Sequence, residues 1–272
     1  MSVEFQHQIT SLKANVGGNG TIALTLLNGN ISLVSPQDLR ILANIPTSDA
    51  TPQSASYSSA QCGSILAVGF SDGTVRLYQN NKEIHRFEKQ NGAILSVAFH
   101  PSKCIVAAAC LNGTFNVHTN NGNSWQSSTT DASHMGLTAI AWGSDSGSGI
   151  QHTLIVGGAD GVIRVFRSIS NNWEQICAAQ VHNGWVRSIS TPNAPIGAVQ
   201  KIASCSDDQT AAVLKIVNNE ITVSQIQPLS VPVQGVSWAM VDKTLVLAHT
   251  NGSTSMWKET ENNEWTLSKN YQ

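Results

Sequence analysis

The sequence predicts an all-β fold, a β-propeller of six four-stranded blades. Three observations predict it. A pair of Asn or Asp followed by Gly recurs along the chain, at Asn28-Gly29, Asp72-Gly73, Asn112-Gly113, Asp160-Gly161 and Asn251-Gly252; Asp208-Gln209 is a sixth copy without the glycine. The spacings are 44, 40, 48, 48 and 43 residues, and a four-stranded propeller blade takes ~40–45. Paired asparagines mark the same period again, at Asn80-Asn81, Asn120-Asn121, Asn171-Asn172, Asn218-Asn219 and Asn262-Asn263. The composition agrees: 41% of the residues are hydrophobic and only 12% charged. Ser, Thr, Asn, Gln and Gly supply the remaining polarity, which suits many short strands and turns.

Each element follows in order. The Asx-Gly pair reads as a two-residue hairpin of type I′, because Asn, Asp and Gly tolerate positive φ best. Before it come apolar runs ending in small residues, Ile65–Gly69, Ile105–Cys110, Leu154–Gly158, Lys201–Ser206 and Leu245–Ala248, which read as second strands. After it the pattern alternates, as in Val75–Tyr78, Val162–Phe166 and Ser255–Trp257, giving third strands. The asparagine pair then turns the chain into a fourth strand, which opens on Trp125, Trp173 or Trp265 in three blades. First strands are Ile9–Ala14, Ile94–Phe99, Leu137–Trp142, Val186–Ser190 and Val233–Trp238; that of blade two lies near Ser54–Ser58. The blades span about 6–46, 53–90, 92–130, 135–180, 183–228 and 232–270, in one domain of 1–272. Ile45–Pro52 and Gly143–Gly149 read as long surface loops, and no helix of useful length is visible.

The ends of the chain predict an open ring. Trp265–Lys269 reads as the last blade's own fourth strand, and little chain precedes blade one. No strand is then spare to latch blade six to blade one. Uncovered apolar sheet faces mark partner sites, so Ile9, Leu12, Val233, Val236 and Trp238 are the candidate interface residues. A partner could insert strands there as an extra blade. A closed ring held by packing alone is the alternative.

Several functions are excluded. The net charge is −2 and no run of Lys or Arg occurs, so direct nucleic-acid binding is not expected. The first strands carry no Asp or Glu and Arg187 is their clearest charge, whereas a propeller glycosidase needs two carboxylates facing its substrate. Asp72, Asp160 and Asp208 lie in hairpin turns and read as structural. The histidines show no metal-ligand spacing. His182 is expected to bond within its blade toward Asp208, with Ser204 in the same buried network. No nucleophile elbow, P-loop or dinucleotide fingerprint occurs, so no catalytic, cofactor or metal residue is assigned. The five cysteines form no CxxC pair and read as small buried hydrophobes in a reducing compartment rather than disulfides or ligands. N-x-S/T matches at Asn19, Asn30, Asn112 and Asn251 read as turn residues. The N-terminus has no signal-peptide pattern and no apolar run approaches the ~18 residues of a membrane span. The expectation is a cytoplasmic protein that reaches membranes through partners.

The C-terminal third resembles one family. His182–Arg187 (HNGWVR), Ile202–Asp208 (IASCSDD), Val236–Trp238 (VSW) and Met256–Thr260 with Trp265 carry the resemblance, and Leu154–Arg167 with Asn172-Trp173 fits the fourth blade. The chain resembles the small WD-repeat subunit of the COPII outer coat, the Sec thirteen family, whose members also serve the nuclear-pore scaffold. Blades one to three match in layout alone. The resemblance implies an open six-bladed propeller without enzyme activity. It implies a peripheral location on ER and COPII vesicle membranes, and a large α-solenoid partner, a coat subunit or a scaffold nucleoporin, that donates the extra blade. A sister subunit of nutrient-signalling complexes shares the plan. The sequence departs from the family in length at both ends. The WD dipeptide is replaced by Leu77-Tyr78, Val117-His118, Val165-Phe166 and Met256-Trp257, and blade five has Ala212-Val213-Leu214 in its third strand. A closed WD adaptor that grips short peptides on its top face is the competing reading.

Overall fold

The structure, a computed structural model, describes residues 5–15, 20–47, 49–145, 151–170, 172–192, 200–226, 229–239, 243–262 and 264–271. They form six four-stranded antiparallel sheets, each ordered as in the sequence. Blade one is Ile9–Ala14, Ile22–Leu26, Asn30–Val34 and Ile41–Pro46 (β1–β4), and blade two Pro52–Tyr57, Leu66–Phe70, Val75–Gln79 and Lys82–Arg86 (β5–β8). Blade three is Ile94–Phe99, Ile105–Cys110, Thr114–Asn120 and Trp125–Asp131 (β9–β12). Blade four is Leu137–Trp142, Thr153–Gly158, Val162–Ile169 and Asn172–Gln180 (β13–β16). Blade five is Val186–Ser190, Gln200–Ser206, Ala211–Val217 and Glu220–Ile226 (β17–β20), and blade six Val233–Trp238, Thr244–His249, Thr254–Glu259 and Trp265–Tyr271 (β21–β24). The fold class is therefore the six-bladed WD-repeat propeller that the repeat period predicts. The chain divides into two compact units, Met1–Leu137 and Thr138–Gln272, so blades one to three fall in the first and blades four to six in the second. Ile45–Pro52 is not a long loop: it holds the end of β4 and the start of β5. Part of Gly143–Gly149, together with Asn19, Asn171 and Asn263, lies outside the described residues.

The turns differ from the type I′ reading. Gly29, Gly73, Gly113, Gly161 and Gly252 donate their N–H three residues back, to Leu26, Phe70, Cys110, Gly158 and His249. Only the glycines, at φ 75–91°, are left-handed; the Asx residues before them are not. Each hairpin is thus a type I turn followed by one left-handed residue, the three-residue solution. Gln209 takes the same conformation at φ 67°. The Asx side chain works in all six blades. Oδ1 of Asn28, Asp72, Asn112, Asp160, Asp208 and Asn251 accepts the N–H two residues on, at 2.9–3.2 Å. True double-positive turns occur at the other marker: Asn80 and Asn81 have φ 50° and 64°, Asn218 and Asn219 51° and 65°.

The turn glycine also receives the next linker. The N–H of Thr47 reaches the Gly29 carbonyl at 2.8 Å and that of Gln90 reaches Gly73 at 2.9 Å. Ala132 and Ser133 both donate to Gly113, and Val181 and His182 to Gly161. The approach is close. A Cβ on Gly113 would stand 2.0 Å from the Ser133 carbonyl oxygen, whereas one on Gly252 would meet nothing within 4 Å.

Burial grades across each blade. β6, β10 and β14 are wholly buried, while β12 and β24 are mostly exposed. Second strands end in small residues because the following blade's first strand packs onto them: a Cβ on Gly69 would come within 2.5 Å of Ile94, and one on Gly157 within 2.6 Å of Val186. Hydroxyls stitch neighbouring first strands together. Ser54 and Ser56 accept the N–H groups of Val97 and Phe99 at 3.1 and 3.0 Å, Thr138 donates to Val186 O at 2.6 Å, and Ser190 accepts the Trp238 N–H at 3.2 Å.

The cysteine expectation fails in part. Cys110 and Cys205 are buried within second strands, but Cys62 and Cys104 form a disulfide. Neither of the bonded pair is inside a strand: Cys62 ends the 3₁₀ turn Ala60–Cys62 before β6, and Cys104 immediately precedes β10. They are 42 residues apart, about one blade period, so they hold equivalent places on successive blades.

Two stability outcomes follow from these contacts. Gly113→Ala combines left-handed strain with a clash against a docked carbonyl and should cost about 3 kcal/mol, whereas Gly252→Ala meets strain alone, about 1 kcal/mol. Urea denaturation checks this; equal losses would show that the linker contact does not matter. The second concerns His118, 2% exposed, stacked on Phe87 at 3.8 Å and bonded through Nδ1 to Ser127 Oγ at 2.7 Å. Burial pushes its pKa down to about 3, from 6.5. The unfolded chain therefore takes up this proton near pH 6.5 and the folded chain only near pH 3. Stability is full above pH 6.5 and falls below it by about 1.4 kcal/mol per unit. His118→Phe should flatten the loss between pH 7 and pH 5 by about 2 kcal/mol in a pH series of melts; an unchanged series would refute the assignment.

Candidate functional site

The polar network of blade five assembles as a relay. His182 Nε2 meets Ser204 Oγ at 2.8 Å and Nδ1 meets Thr210 Oγ1 at 2.7 Å. Thr210 Oγ1 and N–H both donate to Asp208 Oδ1, at 2.6 and 2.9 Å, and Asn183 N–H donates to Asp208 Oδ2 at 2.7 Å. His182 Nδ1 lies 3.5 Å from Asp208 Oδ2, so Thr210 is the link between them that the sequence reading missed. Ser, His and Asp stand in the order of a hydrolase triad. Ser204 is 0% exposed and His182 2%, so no substrate carbonyl can reach the hydroxyl. Burial pushes the His182 pKa below its ordinary value, with Asp208 pulling it back. Burial also acts to raise Asp208, but hydrogen bonds from Thr210 and Asn183 hold it below the usual carboxylate range. The neutral imidazole is a structural hub.

The other turn aspartates are met by arginine. Arg76 is 1% exposed and gives Nη2 to Asp72 at 2.9 Å, Nη1 to Asp49 at 2.7 Å and Nε to Thr74 at 3.0 Å, with its guanidinium 4.0 Å over the Phe70 ring. The Arg76 and Arg86 guanidinium groups hold the Asp49 pKa down, to about 2, against the opposing effect of desolvation. Arg164 repeats the pairing with Asp160, Nη2 to Oδ2 at 2.5 Å. Both carboxylates are thus consumed by turn and strand contacts.

The candidate interface residues separate. On β1, Thr10 Oγ1 donates to Pro52 O at 2.8 Å and Ser11 Oγ accepts the Ala55 N–H at 3.4 Å. Those two residues fasten β1 to blade two and leave Ile9 42% and Leu12 60% exposed. β1 has no buried residue, unlike β5, β9, β13, β17 and β21. On β21 the assignment needs correction. Val233 and Val236 are 0% and 7% exposed, packed with Ala203, Cys205 and Val213 of blade five. Trp238 is turned the same way: its Nε1 donates to Ser190 O at 3.0 Å and its ring meets Trp265 at 5.8 Å. A bulge between Val233 and Gly235 sets this phase. The exposed residues of β21 and β22 are Gln234, Ser237 and Ala248.

Two further clusters were not legible. Glu259, 5% exposed, receives Lys201 Nζ at 3.1 Å and Lys215 Nζ at 3.6 Å, tying blade six to blade five. Trp185 is 40% exposed with the Arg187 guanidinium 4.9 Å over its ring, and Arg187 pairs with Asp207 at 2.5 Å.

Comparison with known proteins bears on this arrangement. The family model of the WD domain, G-beta repeat, matches residues 81–118. The chain is 24% identical over 233 residues to "Protein transport protein sec13" of Emericella nidulans, covering 75% of each chain. It is 23% identical over 228 residues to "Protein SEC13 homolog" of Drosophila melanogaster, covering 75% of this chain and 64% of that one. Among solved structures, a chain of the "Crystal Structure of Mitotic Checkpoint Complex" is similar at a TM-score of 0.76 and 14% identity, over 99% of this chain and 86% of that one. That likeness concerns the fold alone.

Removing one member of the blade-five relay strands its neighbours. Ser204→Ala should cost about 1–3 kcal/mol, because His182 Nε2 keeps no partner in a dry site. Thr210→Val should cost a similar amount, and the double variant less than the sum. Denaturant melts of the three variants measure the coupling; strict additivity would contradict a shared network.

Proposed function

We propose that this chain, a divergent Sec13-like WD-repeat propeller, is a non-catalytic scaffold subunit of the COPII vesicle outer coat in ER-to-Golgi protein transport. The alignment with named transport proteins over three quarters of the chain supports the transport role. No helix of the described residues is long and apolar enough to cross a membrane, which suits peripheral attachment through a partner. In this reading residues 1–272 act as one unlatched propeller. A large α-solenoid partner, a coat subunit or at the nuclear pore a scaffold nucleoporin, supplies strands as an extra blade.

The observation that carries the partner half of the reading is β1. A first strand with Ile9 and Leu12 exposed and no buried residue is an apolar surface in want of cover. Strand addition supplies main-chain hydrogen bonds and apolar pockets together. The second reading, a closed adaptor gripping short peptides, has its own support in Trp185, an exposed aromatic backed by Arg187. Exposed Trp and Arg are the residue types that dominate binding energy at interfaces.

Affinity capture of the tagged chain from native cell extract separates the two. A solenoid coat or pore subunit should be recovered at one-to-one stoichiometry. The pair Ile9→Asp and Leu12→Asp should lower that recovery at least tenfold with the melting temperature unchanged. Recovery of a solitary monomer, or undiminished capture by the charged variant, would overturn the reading. Loss on Trp185→Ala alone would favour the adaptor.

A further inference from the structure

The bond between Cys62 and Cys104 stands apart from everything used so far. It joins the loop before β6 to the loop before β10 and so crosses from blade two to blade three. Both cysteines are half-buried rather than sealed. The other thiols are unsuited to exchange. Cys110 and Cys205 are buried in second strands, and burial pushes all three of Cys110, Cys177 and Cys205 above the ordinary thiol value. A thiol so raised is a poor nucleophile at neutral pH. We propose that Cys62 and Cys104 form a reversible redox site whose substrates are small thiols and disulfides of the glutathione class, and whose state clamps or frees the seam between blades two and three.

The surroundings assign a direction to the exchange. Ser59 Oγ donates to Cys62 Sγ at 3.7 Å, a contact that favours the thiolate on Cys62. The sulfur that bears charge better leaves faster. An incoming thiolate therefore attacks Cys104 Sγ, the S–S bond breaks, and Cys62 Sγ leaves as thiolate and takes a proton from water. A second thiolate attacks the incoming sulfur of the mixed disulfide and releases Cys104. The balance is one protein disulfide and two thiols giving one protein dithiol and one small disulfide; re-oxidation by the small disulfide is the reverse. The Cys62 loop is kept in place when the bond opens. Gln79 Nε2 donates to Gly63 O at 2.8 Å, and Ser58 Oγ accepts the Ile65 N–H at 2.8 Å. The two sulfurs thus remain near each other and reclosure is intramolecular. The seam they guard is a buried apolar cluster, with Ile65, Ala67 and Leu77 of blade two against Ile94, Val97 and Val106 of blade three, and Ser54 and Ser56 add hydrogen bonds to Val97 and Phe99.

The test uses the whole folded chain, treated with oxidised or reduced glutathione, blocked with N-ethylmaleimide and digested for mass spectrometry. Oxidised glutathione should give a linked Cys62–Cys104 peptide. Reduced glutathione should label both without loss of circular dichroism, with Cys110 and Cys205 unlabelled in either state. Partial reduction should place the glutathione adduct on Cys104, and Ser59→Ala should slow reduction severalfold. The reduced chain should melt about 5 °C or more below the oxidised one, since a loop this long gains substantially from closure. Cys62→Ser with Cys104→Ser should match the reduced form and ignore redox poise. A linked peptide that resists reduced glutathione in the folded chain would make the bond merely structural and overturn the proposal. Labelling of both thiols under oxidised glutathione would overturn it too. Should the double variant not fold, the wild-type redox titration decides alone.

Discussion

The capture of the turn glycine's carbonyl by the linker to the next blade, in blades one to four, is the contact on which the rest of this structure depends. A propeller has no backbone ladder between blades, so something else must fix each sheet against the next. Here the left-handed glycine turns its carbonyl outward, and the descending chain donates one or two N–H groups to it in blades one to four. The linker's own carbonyls then fill the space a Cβ would need. With the linker fixed, the following first strand is aimed onto the preceding second strand. That placement is what makes Gly69 and Gly157 necessary and lets Ser54, Ser56 and Thr138 reach across.

Blade six shows the same turn with that contact missing. Gly252 has the conformation of its counterparts but open space where they meet a linker. Its second strand also differs, alternating in burial where β6, β10 and β14 are buried throughout. Blade one differs in its first strand, β1, which has no buried residue.

How legible this was depended on which physical rule carried each element. The period, the blade count and five of six first strands follow from turn chemistry, and β1, β9, β13, β17 and β21 have the bounds expected. The Asx-Gly turn type was misread because dipeptide preference does not distinguish a left-handed glycine inside the turn from one just after it. Val233, Val236 and Trp238 pack against blade five instead of an open edge; the bulge between Val233 and Gly235 brings Val233 onto the face of Val236 and Trp238, and nothing in the sequence announces it. Thr210 was missed because it is two residues from Asp208 in the chain but completes the relay only once the hairpin closes. The Cys62–Cys104 pairing did leave a signal. A separation of one blade period puts two residues at the same station of adjacent blades, and the same arithmetic that found the repeat could have found the bond.

The loss of the WD dipeptide from every blade raises the question of how the fold survives it. The requirement beneath the motif is that each turn's acidic or amide side chain, once its oxygen has captured a backbone N–H, should have its remaining polarity met. Blade five meets it with His182, Ser204 and Thr210. Blades two and four meet it with an arginine four residues on, Arg76 and Arg164, whose fork fits a carboxylate bidentately or shares it with a second acid. Blade six uses a hydroxyl, with Ser253 Oγ donating to Asn251 Oδ1 at 2.7 Å. These solutions differ in residue type yet leave the residue after the turn left-handed in each, at φ 67–89°. The motif can therefore drift while the geometry holds, provided each turn keeps an Asx oxygen that captures the N–H two residues on and one residue able to stand left-handed after it. Gln209 marks the outer limit of that tolerance: it keeps the conformation without being glycine, in the blade whose hub is the most completely bonded.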